Sequence, residues 1–127
     1  MIFVRSTWEK RVVQLLDMLS EILRYSYEPF SIPYKINGVC HNFIPDLLIE
    51  DMYGITEVWE IKRQDYLDND PITKAKIKAL FKWCRGKHNC RIVTLKDIET
   101  LEEIVSRKKR KELVYELLNL TEPVPLL

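Results

Sequence analysis

The chain has 127 residues, 46% hydrophobic and 31% charged, with a formal net charge of +1. That is the size and composition of one ordinary globular domain, and the near-neutral charge excludes a global electrostatic footprint for nucleic acid, leaving only local clusters of Lys and Arg. No apolar run approaches the roughly 20 residues that span a bilayer, the start MIFVRSTWEK lacks a signal peptide's apolar middle, and three cysteines are too few for a secreted disulfide framework, so a cytoplasmic protein with no membrane partner is expected.

Residues 6 to 24 place Trp8, Val12, Leu15, Leu16, Leu19, Ile22 and Leu23 at the spacing of one helix face. Ser6-Thr7-Trp8-Glu9 reads as a capping box at its start. FSIPYKI follows Pro29, Asn37-Gly38 supplies a turn, and VCHNFIPDLLIE and ITEVWEIK complete an expected three-strand meander. Residues 71 to 85 return to helical spacing, with Ile77, Leu80, Phe81 and Cys84 on one side and Pro71 suited to the first turn. CRIVTL, residues 90 to 95, has strand length, and Asp97 reads as the N-cap of a charged amphipathic helix running to about residue 119. TEPVPLL reads as an extended tail. The predicted order is α-β-β-β-α-β-α. Because apolar residues occupy both parities of the central strands, both sheet faces must be covered by helices or loops.

The loop EDMYG, with Gly54 at a positive-φ position, centres a hairpin that pairs residues whose numbers sum to 106. Asp46 then stands directly opposite Glu60, with Cβ atoms about 5 Å apart, and Lys62 shares their face by alternation. Two carboxylates that close repel unless a cation intervenes. Mg²⁺, with its preference for carboxylate oxygens, is one solution, and a neighbouring lysine suits metal-assisted phosphodiester hydrolysis. The other is a structural ion-pair cluster bridged by Lys62.

Residues 45 to 46, PD, followed by E-I-K at 60 to 62, resemble the PD-(D/E)xK nuclease superfamily. RSTWEKRVVQLLD, HNFIPDLLIE and VWEIK taken together are similar to TnsA-like endonucleases, to phage head-completion nucleases and to phage Holliday-junction resolvases of the endonuclease I type. The resemblance spans about residues 4 to 98, with the basic helix and tail beyond, and implies a single nuclease domain with a restriction-endonuclease-like α/β core, a mixed central sheet flanked by helices. It implies that Glu9, Asp46 and Glu60 bind Mg²⁺, with Mn²⁺ as a substitute, and that Lys62 acts on the attacking water or the scissile phosphate. For Glu9 this competes with the capping box, since one carboxylate does not easily do both. Arg63-Gln64 departs from relatives that often turn there with Pro or Gly. The implied activity is DNA endonuclease action on branched DNA or DNA ends, in the host cytoplasm if phage-encoded. The implied partners are DNA, a second copy in a homodimer, and a phage or transposition-type protein.

For DNA contact the candidates are Arg5, Arg63 and the stripe Lys74, Lys78, Lys82 and Arg85, which is either a phosphate track or a solvated helix face. Arg107, Lys108, Lys109, Arg110 and Lys111 form a stronger run, opposite Leu113, Val114, Leu117 and Leu118, that either grips DNA or decorates an oligomerisation helix. Cys84, His88 and Cys90, with Cys40-His41, match no common zinc spacing, and packed thiols are the expectation. On odd parity His41 should face away from the acidic pair. The rival reading is a catalytically silent DNA-binding or assembly protein that keeps the fold.

Overall fold

A computed structural model describes residues 7–120. In chain order the elements are α1 (Thr7–Met18), β1 (Ile22–Tyr27), β2 (Ile32–Ile36), β3 (Val39–Phe43), β4 (Leu47–Asp51), β5 (Thr56–Ile61), α2 (Gln64–Asn69), α3 (Pro71–Cys84), β6 (Asn89–Val93) and α4 (Leu95–Leu120). Four strands form a sheet in the order β1-β4-β5-β6, and β2-β3 form a separate two-stranded sheet. Strand β4 runs antiparallel to β1 and β5, whereas β6 runs parallel to β5. The architecture is an α/β fold with a mixed sheet between helical layers, of the restriction-endonuclease-like kind.

Three expected elements are redrawn. The first helix ends at Met18, and residues 22 to 27 leave it to become β1. Ile22 and Leu23 satisfy helical spacing, but the alternation of Tyr25, Ser26 and Tyr27 satisfies strand spacing as well, and pairing with β4 decides between them. The run VCHNFIPDLLIE is two strands rather than one, broken at Ile44-Pro45-Asp46, so the meander is replaced by a hairpin plus a sheet. Pro45 has no N–H to give a ladder, and the chain uses it to pass from one sheet to the other. The six-residue helix α2 was not expected. The N-cap of α4 is Thr94, not Asp97: the Asp97 carboxylate accepts from the Thr94 main-chain N–H at 2.9 Å, and the Asp97 N–H donates to Thr94 Oγ1 at 3.4 Å, a capping box displaced by three residues. Ser6, Arg5 and the tail 121–127 lie outside the described residues.

Two turns form as their residues dictate. Asn37 and Gly38 both take positive φ, 52° and 74°, as the two-residue turn of a hairpin requires. Gly54 sits at φ 81° in the β4-β5 loop, where the Asp51 carboxylate accepts from the N–H groups of Tyr53 and Ile55 at 2.9 and 3.0 Å. That loop fixes the register. Leu47 pairs with Trp59, Leu48 with Val58 and Ile49 with Glu57, each pair summing to 106 as the sequence predicts.

The two faces of the sheet carry different cores. Leu47, Ile49, Trp59 and Val93 pack with Val12, Leu15 and Leu16 of α1 and with Ile98 and Val105 of α4. On the opposite face Val58 packs with Leu80 and Cys84 of α3 and with Ile32 and Phe43 of the β2-β3 hairpin. Both faces are therefore covered, as the strand parities require. Phe81, expected on the buried side of α3, is 47% exposed. Leu80 is the residue on which the second core turns, fully buried between hairpin and sheet. Leu80→Ala should cost about 2–5 kcal/mol in urea unfolding followed by circular dichroism. A loss below about 1 kcal/mol would mean that the hairpin and α3 do not share a cooperative core.

Candidate active site

Asp46 stands at the entry to β4 and Glu60 near the exit of β5, so the 106 register brings them together at one end of the sheet. Their contacts are crossed. The Asp46 main-chain N–H donates to Glu60 Oε1 at 3.2 Å, and the Ile61 N–H donates to Asp46 Oδ2 at 2.7 Å. Each carboxylate is thus aimed by the backbone of the opposite strand. The Asp46 carbonyl in turn accepts from the Glu28 N–H at 3.0 Å, which ties the site to the end of β1. Lys62 completes the group, its Nζ 3.8 Å from Glu60 Oε2, while its main-chain N–H is anchored on the Val93 carbonyl of β6.

Glu60 is 4% exposed. Burial first, then the charge of Asp46 and a hydrogen bond with it, push the Glu60 carboxyl up to about 9; Lys62 pulls the other way without prevailing. A carboxyl held protonated on a strand end, against a second carboxylate, has the chemistry of a cation site that a proton fills by default. The donor set fits a hard divalent ion such as Mg²⁺, which takes one or two protein carboxylates and leaves its other positions to water and phosphate.

The remaining expected site residues are spread around this pair. Glu9, in the first turn of α1, lines a cleft of about 420 Å³ with Lys62, Arg63, Trp8 and Tyr66. Its charge also reaches Tyr27, at the end of β1, where burial is the main cause that raises the phenol. Glu9 and Lys62 therefore face one cavity, but among the described residues no three His, Cys, Asp or Glu side chains are grouped closely enough to hold an ion as they stand. Arg63 is ion-paired with Asp65 at 2.8 Å and lies over the Tyr66 ring at 4.8 Å. Tyr66 belongs to α2, a helix that the sequence does not signal, and Trp8 lies on the apolar helix face of α1.

Of the basic candidates, Lys74, Lys78, Lys82 and Arg85 are all exposed along α3. In the second cluster Arg107 pairs with Glu103 and Lys108 with Glu21, so two of its members serve to pin or solvate α4, while Lys109, Arg110 and Lys111 are exposed. Cys84 is buried in the second core, and burial pushes the thiol of its neighbour Cys90 up to about 12. His41 belongs to β3, not to the strand of Asp46, and stacks on Tyr34 with centroids 5.4 Å apart. The parity that was to turn it from the acidic pair does not carry across the break at Pro45.

A family model described as the TnsA-like endonuclease N-terminal domain matches residues 19–90. The chain belongs to the TnsA-like endonuclease family. The matched stretch contains Asp46, Glu60, Lys62 and the whole of α3, and begins after Glu9. No curated protein matches the chain. Among the described residues no helix is long and apolar enough to cross a membrane.

The raised Glu60 carboxyl has a definite sign. Below about pH 4.3, the ordinary glutamate value, both folded and unfolded states are protonated and the site costs nothing. Between there and about pH 9 the unfolded chain has ionised while folded Glu60 has not, so stability drains away as pH rises and is lost fully above that value. With EDTA present, Glu60→Gln should melt about 5 °C above the parent at pH 8 and level with it near pH 4.5, by differential scanning calorimetry. A variant that is less stable at pH 8 would show that the pair is a favourable ion cluster rather than a frustrated one.

Proposed function

We propose that this TnsA-like domain is a Mg²⁺-dependent DNA endonuclease. The observation that carries the reading is the crossed Asp46–Glu60 pair with Lys62 Nζ 3.8 Å away, inside the stretch matched by the endonuclease family. Asp46 and Glu60 would hold the ion, with Glu9 as a further carboxylate from the cleft wall. An ion bound there supplies charge neutralisation at the scissile phosphate and activation of water.

The chain's own contribution is positional. Backbone N–H groups fix the two carboxylates before substrate arrives, so little reorganisation is needed in the reaction. Lys62, half-buried, sets a cation where a phosphate oxygen or the attacking water is to be oriented. Trp8 and Tyr66 wall the same cleft. DNA ends or branched DNA are the proposed substrates, of the kind handled by phage or transposition systems. Cutting both strands calls for two such sites and hence a symmetric dimer, for which exposed Leu113, Val114, Leu117 and Leu118 of α4 offer a surface.

The test combines melting with cleavage. Mg²⁺ at a hundredfold above its Kd should stabilise the protein by about 2.7 kcal/mol, an effect that Asp46→Asn should abolish. Labelled duplex, flap and four-way-junction DNA should be cut with Mg²⁺ but not with EDTA, and Lys62→Ala should slow cutting by about 10²-fold or more. Absence of both the Mg²⁺ stabilisation and any cutting would leave the silent DNA-binding reading in its place.

A further inference from the structure

The distribution of charge is far from the near-neutral whole. Residues 29–45 and 71–96 contain nine of the twenty Lys and Arg and none of the nineteen Asp and Glu. These two acid-free stretches meet in space, because the β2-β3 hairpin packs on α3 around Ile32, Phe43 and Leu80. Between them lies a groove of about 890 Å³. It is lined by five cations, Lys35, Lys78, Lys82, Arg85 and Lys87, and by no carboxylate.

Seven of the described cations outside the groove are ion-paired. Arg11 is paired with Glu102, Arg24 with Glu50, Arg91 with Glu57 and Lys108 with Glu21. None of the five groove cations has a carboxylate partner among the described residues. Five like charges around one concavity repel one another and concentrate a positive potential that an anion would relieve.

Two aromatic rings, Tyr34 from β2 and Trp83 from α3, line the same groove. Lys87 lies 4.8 Å from the Trp83 centroid and Lys76 5.8 Å from that of Tyr34, so charge and ring are already paired at both. Cations that track a backbone, beside rings on which bases stack, are the combination by which proteins hold single-stranded nucleic acid without reading its sequence. The volume falls within the roughly 300–1,000 Å³ of pockets that enclose a small ligand. Such a space is large enough for unpaired nucleotides.

We propose that the groove between the β2-β3 hairpin and α3 is a binding site for a single-stranded DNA segment. The proposal rests on the nuclease reading for the choice of DNA, and deepens it: the substrate is DNA with an unpaired arm or tail. From the end of β5, which bears Glu60 and is followed by Lys62, the chain passes through α2 into α3, and because β6 runs parallel to β5 the 14 residues of α3, about 20 Å, return toward the start of β6. Lys78, Lys82 and Arg85 follow one another in that direction, so an unpaired strand leaving the acidic pair is led along the helix into the groove.

Binding is measured on the full chain in EDTA, where cutting cannot interfere, by fluorescence anisotropy of a labelled 12-nucleotide oligo(dT) and of a blunt duplex. The single strand should bind at least tenfold more tightly. The double variant Lys78→Glu/Lys82→Glu, at two exposed positions, should weaken single-strand binding at least tenfold with an unchanged melting temperature, and Tyr34→Leu should weaken it about tenfold. The same charge reversal at Lys109 and Lys111 on α4 should change it less than threefold. Equal loss from the α4 reversal, equal affinity for duplex, or displacement of oligo(dT) by dTMP at the same nucleotide concentration would each overturn the proposal. Failure of Mg²⁺-dependent cutting with groove binding intact would remove the nuclease reading alone; cutting with no groove binding would remove only this one.

Discussion

The opposition of Asp46 and Glu60 across β4 and β5 is the constraint around which the rest is arranged. Two carboxylates on neighbouring strands are unfavourable in proportion to how far they are desolvated, and here the desolvation is nearly complete for Glu60. The fold tolerates them because the strands they interrupt are secured on both faces. Leu47 and Trp59 are buried against α1 and α4, Val58 against α3 and the hairpin. A slip of one residue would remove the pair, but it would also turn every one of these side chains to the wrong face. The same hydrophobic pattern that stabilises the sheet therefore enforces the frustrated contact.

That coupling explains what was legible in the sequence. The register was readable because the turn alone fixes it, with Gly54 at the positive-φ position of the β4-β5 loop. The placement of the acidic pair followed from it. The strand β1 was not readable, since Ile22 and Leu23 continue the helical spacing of Leu16 and Leu19 equally well, and only pairing to β4 breaks the tie. The division of residues 39 to 51 into two sheets was likewise hidden. Phe43 and Leu47 are both buried, so the apolar run looks continuous, and a proline with no N–H is the sole local mark of the crossing. Helix α2 is too short to show periodicity, and with it Tyr66 was lost from the expected site.

The electrostatics divide along the same line as the cores. On the side of α1 and α4, cations are matched by acids on neighbouring elements, and Arg11–Glu102 and Lys108–Glu21 clamp the long helix to the domain. In the groove between α3 and the hairpin no acid is present, and the five cations there are left to the solvent. A net charge of +1 conceals this because the two sides nearly cancel. Composition alone is a poor guide to nucleic-acid binding when the fold sorts charge by face.

Glu9 is the point at which the two sides meet. It comes from α1, which packs on the face opposite α3, yet it shares a cleft with Lys62 at the sheet's end. Its place is set by Val12, Leu15 and Leu16, which seat α1 on the sheet, and by the Arg11–Glu102 pair, which joins α1 to α4. The family match starts only at residue 19, so the central carboxylates and the third one are held by different parts of the fold. Asp46 and Glu60 are locked by strand register, whereas Glu9 moves with a helix whose position is set by packing. On the proposed reading of Glu9 as a further ligand, the seating of α1 on the sheet, and not the central strands, sets how near that carboxylate stands to the pair.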